Sequence, residues 1–212
     1  MMQHFTFVPG WGSDPGFWEK MLVFFEGHSV SHVDLGFTGF SGHKSESHAF
    51  SNPSIYITHS LGTMWALKNR YPNIRALIAI NGFHCFRHFI CERTLLTMKA
   101  RLKRNPVTQM GEFWEKCGVP SDNSGLNLEK LQEGLEWLIS WNAGKELSSL
   151  SCPILVLAGG EDPVLPLSLM RREWNGFNLH AQQKGGHALP WTDAAWCAEK
   201  IREFVGGLKL EA

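Results

Sequence analysis

The chain has 212 residues and is 43% hydrophobic, enough for one sizeable core and short for two full domains. Its 20 basic and 20 acidic side chains cancel, which removes the strongly basic face that nucleic-acid binding ordinarily requires. The 14 Phe and 9 Trp, spread along the whole chain, argue against disorder.

No run approaches the roughly 20 apolar residues of a membrane helix, and no basic leader precedes a long apolar run. Neither a membrane span nor a secretory signal is expected. Cys85, Cys91, Cys117, Cys152 and Cys197 form no CxxC pair. Free thiols in a reducing cytoplasm are the expectation, and with them a cytoplasmic location. None of the 10 histidines falls in an HExxH or two-Cys/two-His pattern, so no metal or other cofactor is expected.

In chain order, His4 to Val8 reads as a strand ended by Pro9-Gly10. Phe17 to Phe25 suits a helix opened by Asp14-Pro15. Ser29 to Asp34 is a second strand, and Ser54 to Thr58, preceded by Pro53, is a third. From Leu61 to Tyr71 the apolar period becomes helical and Pro72 stops it. Ile74 to Ile80 is almost continuously apolar, as a strand covered on both faces must be.

Cys85 to Gly144 favours helices, broken near Pro106 and again between Cys117 and Gly125. Pro153 to Ala158 is another buried strand, Leu167 to Trp174 a helix, and Asn178 to Gln182 a weak strand. Thr192 to Val205 is a final helix with Thr192 at its cap. The expected fold class is α/β with a mainly parallel sheet. Residues 1–84 and 145–212 would form the core, with 85–144 a helical cap over the carboxyl ends of the strands, where open sheets place their sites.

Thr58-His59-Ser60-Leu61-Gly62 lies where a strand should turn directly into a helix. A nucleophile elbow needs that placement, because the turn projects the serine hydroxyl while the next amide opens the helix. The plainer alternative is a serine serving only as a helix N-cap. A serine also needs a base, and the base an orienting carboxylate. His187, in Lys184-Gly-Gly-His-Ala188, and Asp162, in Gly159-Gly-Glu-Asp-Pro163, complete a triad in the order Ser, Asp, His. Glu161 and Asp34 are the competing acids. His59 should point away from the hydroxyl and pack or shape the pocket. His84 and His88 are candidates either for substrate contact or for plain surface and cap roles.

Negative charge on a tetrahedral intermediate needs preorganised donors. The amides of Leu61 and of Trp11, in Pro9-Gly-Trp-Gly-Ser13, are the candidates. Trp11, Phe86, Phe113 and Trp114 are candidate walls for an acyl group, or simply cap core. The segment from Arg87 to Arg104 carries six Lys/Arg (Arg93, Lys99, Arg101, Lys103 and Arg104 among them) against Glu92 alone. It reads either as a patch steering an acidic partner or as a solvated helix face balanced by the acids from Glu112 to Glu146.

These motifs resemble the α/β-hydrolases over essentially the whole chain. More narrowly they are similar to the bacterial pimeloyl-[acyl-carrier protein] methyl ester esterases of biotin synthesis. The narrower likeness rests on Gly10-Trp11-Gly12, the Thr58–Gly62 elbow, Asn81-Gly82, Gly134 to Leu138, Gly159 to Pro166 and Gly186-His187-Ala188. It departs from that pattern in having Thr58 for the usual glycine, in a short segment from Gly36 to Pro53, and in reaching Trp11 without the usual first strands, so about six strands are expected. The resemblance implies a serine carboxylesterase that cleaves the methyl ester of a carrier-bound pimeloyl chain, with basic cap residues holding the acyl-carrier protein. A small-ester carboxylesterase or thioesterase without a protein partner is the nearest rival. A non-catalytic binding protein on the same scaffold is a second.

Overall fold

The computed structural model describes residues 2–38, 54–69, 74–119 and 125–208. Six strands form one sheet: β1 (His4–Val8), β2 (Ser29–His32), β3 (Ser54–His59), β4 (Ile74–Ile80), β5 (Ile154–Gly159) and β6 (Asn178–Gln182). Their order is β2-β1-β3-β4-β5-β6, and each neighbouring pair is parallel. The sheet therefore starts at β1 and winds outward in both directions.

The apolar run of β4 is explained by its two faces. Ala76, Ile78 and Ile80 join a core with Phe5, Phe7, Ile55, Ile57, Leu155 and Leu157. Leu77 and Ala79 join the opposite core with Val8, Tyr56, Val156 and Ala158. Both faces are covered, so neither can be polar.

On the first face lie α1 (Glu19–Leu22), α8 (Leu189–Thr192) and α9 (Ala194–Gly207). The expected Phe17–Phe25 helix is a tight run in which 3-10 turns, Pro15–Trp18 and Val23–Phe25, flank the single turn of α1. Asp14 caps it by accepting from the Gly16 amide at 2.7 Å. The last helix differs from expectation at its start. Ala188 to Thr192 closes its own turn, with the Thr192 amide donating to Ala188 O, so Asp193 rather than Thr192 holds the cap position of α9.

On the other face lie α2 (Leu61–Asn69), α3 (Glu92–Arg104), α4 (Pro106–Cys117), α5 (Leu128–Ser140), α6 (Gly144–Ser149) and α7 (Leu167–Glu173). Pro106 sits at the first turn of α4, where its missing N–H costs nothing. The break expected there is thus a helix start. Pro53, Pro72, most of the segment from Gly36 to Pro53 and part of the break between Cys117 and Gly125 lie outside the described residues. Among the described residues no helix is long and apolar enough to cross a membrane.

Candidate active site

β3 passes into α2 through Ser60, whose φ of +51° lies in the left-handed region. Few non-glycine residues are held there without a structural reason. The Ser60 amide donates to Ile80 O, and the Thr63 amide donates to Ser60 O rather than to its side chain. The hydroxyl is consequently left for another partner. Gly62 permits the bend, since a Cβ there would lie 2.5 Å from both Val8 O and Pro9 O.

That partner is His187. Its Nε2 is 3.1 Å from Ser60 Oγ, and its Nδ1 is 2.8 Å from Asp162 Oδ2. Asp162 is held by its other oxygen, which accepts from the Val164 and Leu165 amides at 2.7 and 2.9 Å. With Oδ2 turned to the ring, Nδ1 carries the proton and Nε2 faces the hydroxyl as acceptor. All three residues are buried. Glu161 is exposed, and Asp34 accepts from the Gly36 amide beyond β2.

The His187 loop is fixed by two groups. Asn81, directly after β4 and at φ +43°, donates to Gly186 O and His187 O and accepts from the Gly159 amide. His59 donates from Nε2 to His187 O at 3.0 Å and packs against Phe17, their ring centres 4.6 Å apart. Burial, with the nearby His187 ring, pushes the His59 imidazole down to about 3, so it stays neutral. The positioning work of Asn81 was not read from its sequence context. An Asn-Gly pair at a strand end, tolerant of positive φ, is the signal that points to it.

The loop after β1 closes the other side. Gly10 lies so near the elbow that a Cβ would sit 2.8 Å from His59 Nδ1 and 3.0 Å from Ser60 Cβ. The Trp11 indole donates to Leu131 O, and Trp114 of α4 donates to Gly12 O, each at 2.9 Å. Helices α4 and α5 are thereby fastened onto this loop. Among the described residues the Trp11 and Leu61 amides donate to no acceptor.

Trp11, Phe17, His59, Phe113, Trp114, Cys117 and Val119 enclose the Ser60 hydroxyl. The space left is about 10 Å3 for the centre of a water-sized sphere, room for about one water. Burial, and secondarily the Asp162 charge, pushes the Cys117 thiol up to about 12, so it is no nucleophile. Phe86, also expected in this lining, is buried against Phe83, ring centres 4.8 Å apart, and is not among the residues that enclose the Ser60 hydroxyl. His84 and His88 also lie outside it, against Glu173.

Of the basic residues on α3, Lys99 pairs with Glu136 and Arg101 with Glu112. Arg93, Lys103 and Arg104 are exposed and make no ion pair among the described residues.

No protein-family model and no curated protein matches the chain. Solved structures do. A bromoperoxidase from Bacillus anthracis superposes with a TM-score of 0.79 at 15% identity, covering 97% of this chain and 92% of its own. A hydrolase from Pseudomonas aeruginosa gives 0.77 at 14% identity, over 97% and 91% of the two chains. An esterase from Exiguobacterium antarcticum gives 0.76 at 14% identity, over 97% and 92%. The fold is that of the α/β-hydrolases. On it, Ser60, His187 and Asp162 form one hydrogen-bonded chain at the turn from β3 into α2.

Proposed function

We propose that the protein hydrolyses carboxylic esters through an acyl-enzyme on Ser60. The observation that carries this reading is the unbroken hydrogen-bond chain from Ser60 through His187 to Asp162. In the first half-reaction His187 takes the Ser60 proton as Oγ attacks the ester carbonyl. The amides of Leu61 and Trp11 receive the oxyanion. Imidazolium, stabilised by Asp162, then protonates the departing alkoxide and releases the alcohol. Water, deprotonated by the same ring, cleaves the acyl-enzyme and returns the proton to Ser60. Residues 85–144 act as the cap over a core of 1–84 and 145–212, and Trp11, Phe113 and Trp114 form the acyl wall.

The finer proposal is the methyl ester of pimeloyl-[acyl-carrier protein], which the sequence motifs favour. Arg93, Lys103 and Arg104 would then meet the acidic carrier, while Lys99 and Arg101 are partly neutralised by Glu136 and Glu112. The second reading, a small-ester carboxylesterase, is favoured by the narrow space at Ser60, which a short acyl group needs to widen less than a long one does.

Labelling with a fluorophosphonate tests the shared step: Ser60 should be modified and the Ser60→Ala chain should not. Initial rates on a pimeloyl-carrier methyl ester and on a small soluble methyl ester separate the two substrates. A strong preference for the carrier ester, lost when Arg93, Lys103 and Arg104 become Glu, supports the first. Equal efficiency on both overturns it.

A further inference from the structure

A second cluster of chemically competent groups lies away from Ser60. His84 follows β4, His88 ends the one-turn 3-10 segment Phe86–His88, and Glu173 ends α7. Glu173 Oε1 is 3.2 Å from His84 Nε2, and Oε2 is 2.7 Å from His88 Nδ1. The His84 and Cys85 amides donate to Oε1 at 3.1 and 3.2 Å, which fixes the carboxylate plane. The three groups border a surface cleft of about 280 Å3, with Leu169 and Arg172 as the remaining wall.

We propose that His84, His88 and Glu173 form a binding site for one divalent transition-metal ion of the zinc type. One ligating atom from each residue already lies within 4.8 Å of the other two. Tetrahedral zinc with ligands at 2.0–2.1 Å holds them about 3.3 Å apart, so the widest gap closes by at most about 1.5 Å. Two imidazoles and one carboxylate are a donor set zinc accepts, with the cleft supplying solvent for the fourth position. The Glu173 side chain is only 3% exposed and, among the described residues, forms ion pairs with no Lys or Arg. Two amides hold the carboxylate, and it faces both imidazoles, so its charge is already aimed at the point an ion between them would occupy. The spacing patterns of the sequence miss this site because Glu173 stands 85 residues beyond His88.

The location defines the role. The ion would join His84, just after β4, and His88, at the start of the helical insertion, to α7, a helix of the core, and it shares no lining residue with the Ser60 cavity. It is therefore a clamp and takes no part in ester cleavage. A ligating imidazole usually hands its other N–H to an acceptor, and lacking that acceptor weakens binding about 10–100-fold. His84 Nδ1 is buried with no hydrogen-bond partner among the described residues. An affinity about 10–100-fold weaker than that of a site with both outer acceptors follows.

The test is zinc titration of the full chain after dialysis against a chelator, read by calorimetry and by thermal melting. One ion per chain and a raised melting temperature are expected. His88→Ala, at a largely solvated side chain, should weaken binding by about 10-fold or more while Ser60 still reacts with the fluorophosphonate. Glu173→Gln should do the same. Absence of saturable binding up to high-micromolar zinc overturns the proposal. So does binding that survives His88→Ala and disappears in Cys91→Ser, which would assign the ion to that exposed thiol.

Discussion

The Asn81 carboxamide donates to the main-chain oxygen of His187 at 2.6 Å, so the residue that follows β4 sets the position of His187. It also donates to Gly186 O at 2.9 Å and accepts from the Gly159 amide at 2.8 Å. One side chain thus ties β4, β5 and the His187 loop together. Asn81→Ala would leave two carbonyls and one amide without that partner, a loss of about 2–4 kcal/mol. Its positive φ adds strain for any residue but Gly, Asn or Asp. A lower melting temperature and a lower kcat are expected together. Asn81→Asp should be worse than Ala at pH 8, because a carboxylate would face two carbonyl oxygens. Melting curves and fluorophosphonate labelling rates on both variants check this order.

Asp162→Asn tests the relay itself. The carboxylate holds His187 with Nδ1 protonated, and a carboxamide can present its N–H instead, which turns Nδ1 into the acceptor and leaves Nε2 carrying the proton. The base then faces Ser60 in the wrong tautomer. A fall of about 10,000-fold in kcat with little change in KM is expected. Steady-state kinetics on a p-nitrophenyl ester give both numbers, and circular dichroism reports whether the fold is kept.

How much of this the sequence carried depends on distance along the chain. The β4 run is a local pattern, so the strands were legible, and the short motifs around Ser60, Asp162 and His187 pointed to three residues that the structure hydrogen-bonds together. Ser60 stood out less, because Thr58 occupies the usual glycine position. The structure gives Thr58 a reason: its hydroxyl is 2.7 Å from Thr63 Oγ1 and donates to Ile78 O at 3.0 Å. The place of Phe86 beside Phe83 was not legible, because an aromatic residue looks alike in the sequence whether it faces a cavity or another ring. Thr192 was misread because Ala188 to Thr192 forms a turn of its own before α9. The fastening of α4 and α5 onto the Trp11 loop rests on bonds spanning 102 and 120 residues, which no local pattern encodes.

Thr58 itself yields a prediction. Thr58→Val keeps the shape and removes the hydroxyl, leaving buried Thr63 Oγ1 without its partner. Destabilisation of about 1–3 kcal/mol is expected. Thr58→Gly should also destabilise, although glycine is the commoner residue at such an elbow. Denaturant titration measures both.

Phe113 and Trp114 set the width beside Ser60. Phe113→Ala removes a ring that packs edge-on against Trp11 at 4.8 Å between centres. The cleared volume should admit longer acyl chains. The ratio of kcat/KM for hexanoyl over acetyl p-nitrophenyl esters should rise by about 10-fold. An unchanged ratio would remove Phe113 from the acyl wall.

His59 predicts how stability varies with pH. Its imidazole is fully buried and held neutral down to about 3, against an ordinary value of 6.5 in the unfolded chain. Between those values the unfolded chain binds a proton that the folded chain refuses, so unfolding is favoured as the pH falls. Stability is therefore complete above pH 6.5 and declines by about 1.4 kcal/mol per unit below it. A glutamine can keep a donor towards His187 O but does not titrate. His59→Gln should accordingly flatten the fall in melting temperature between pH 6.5 and 4.5. A smaller slope should persist from His4 and His84, whose imidazoles burial also lowers. If the wild-type and His59→Gln curves run parallel through that window, the neutral buried His59 is not what makes the fold sensitive to acid.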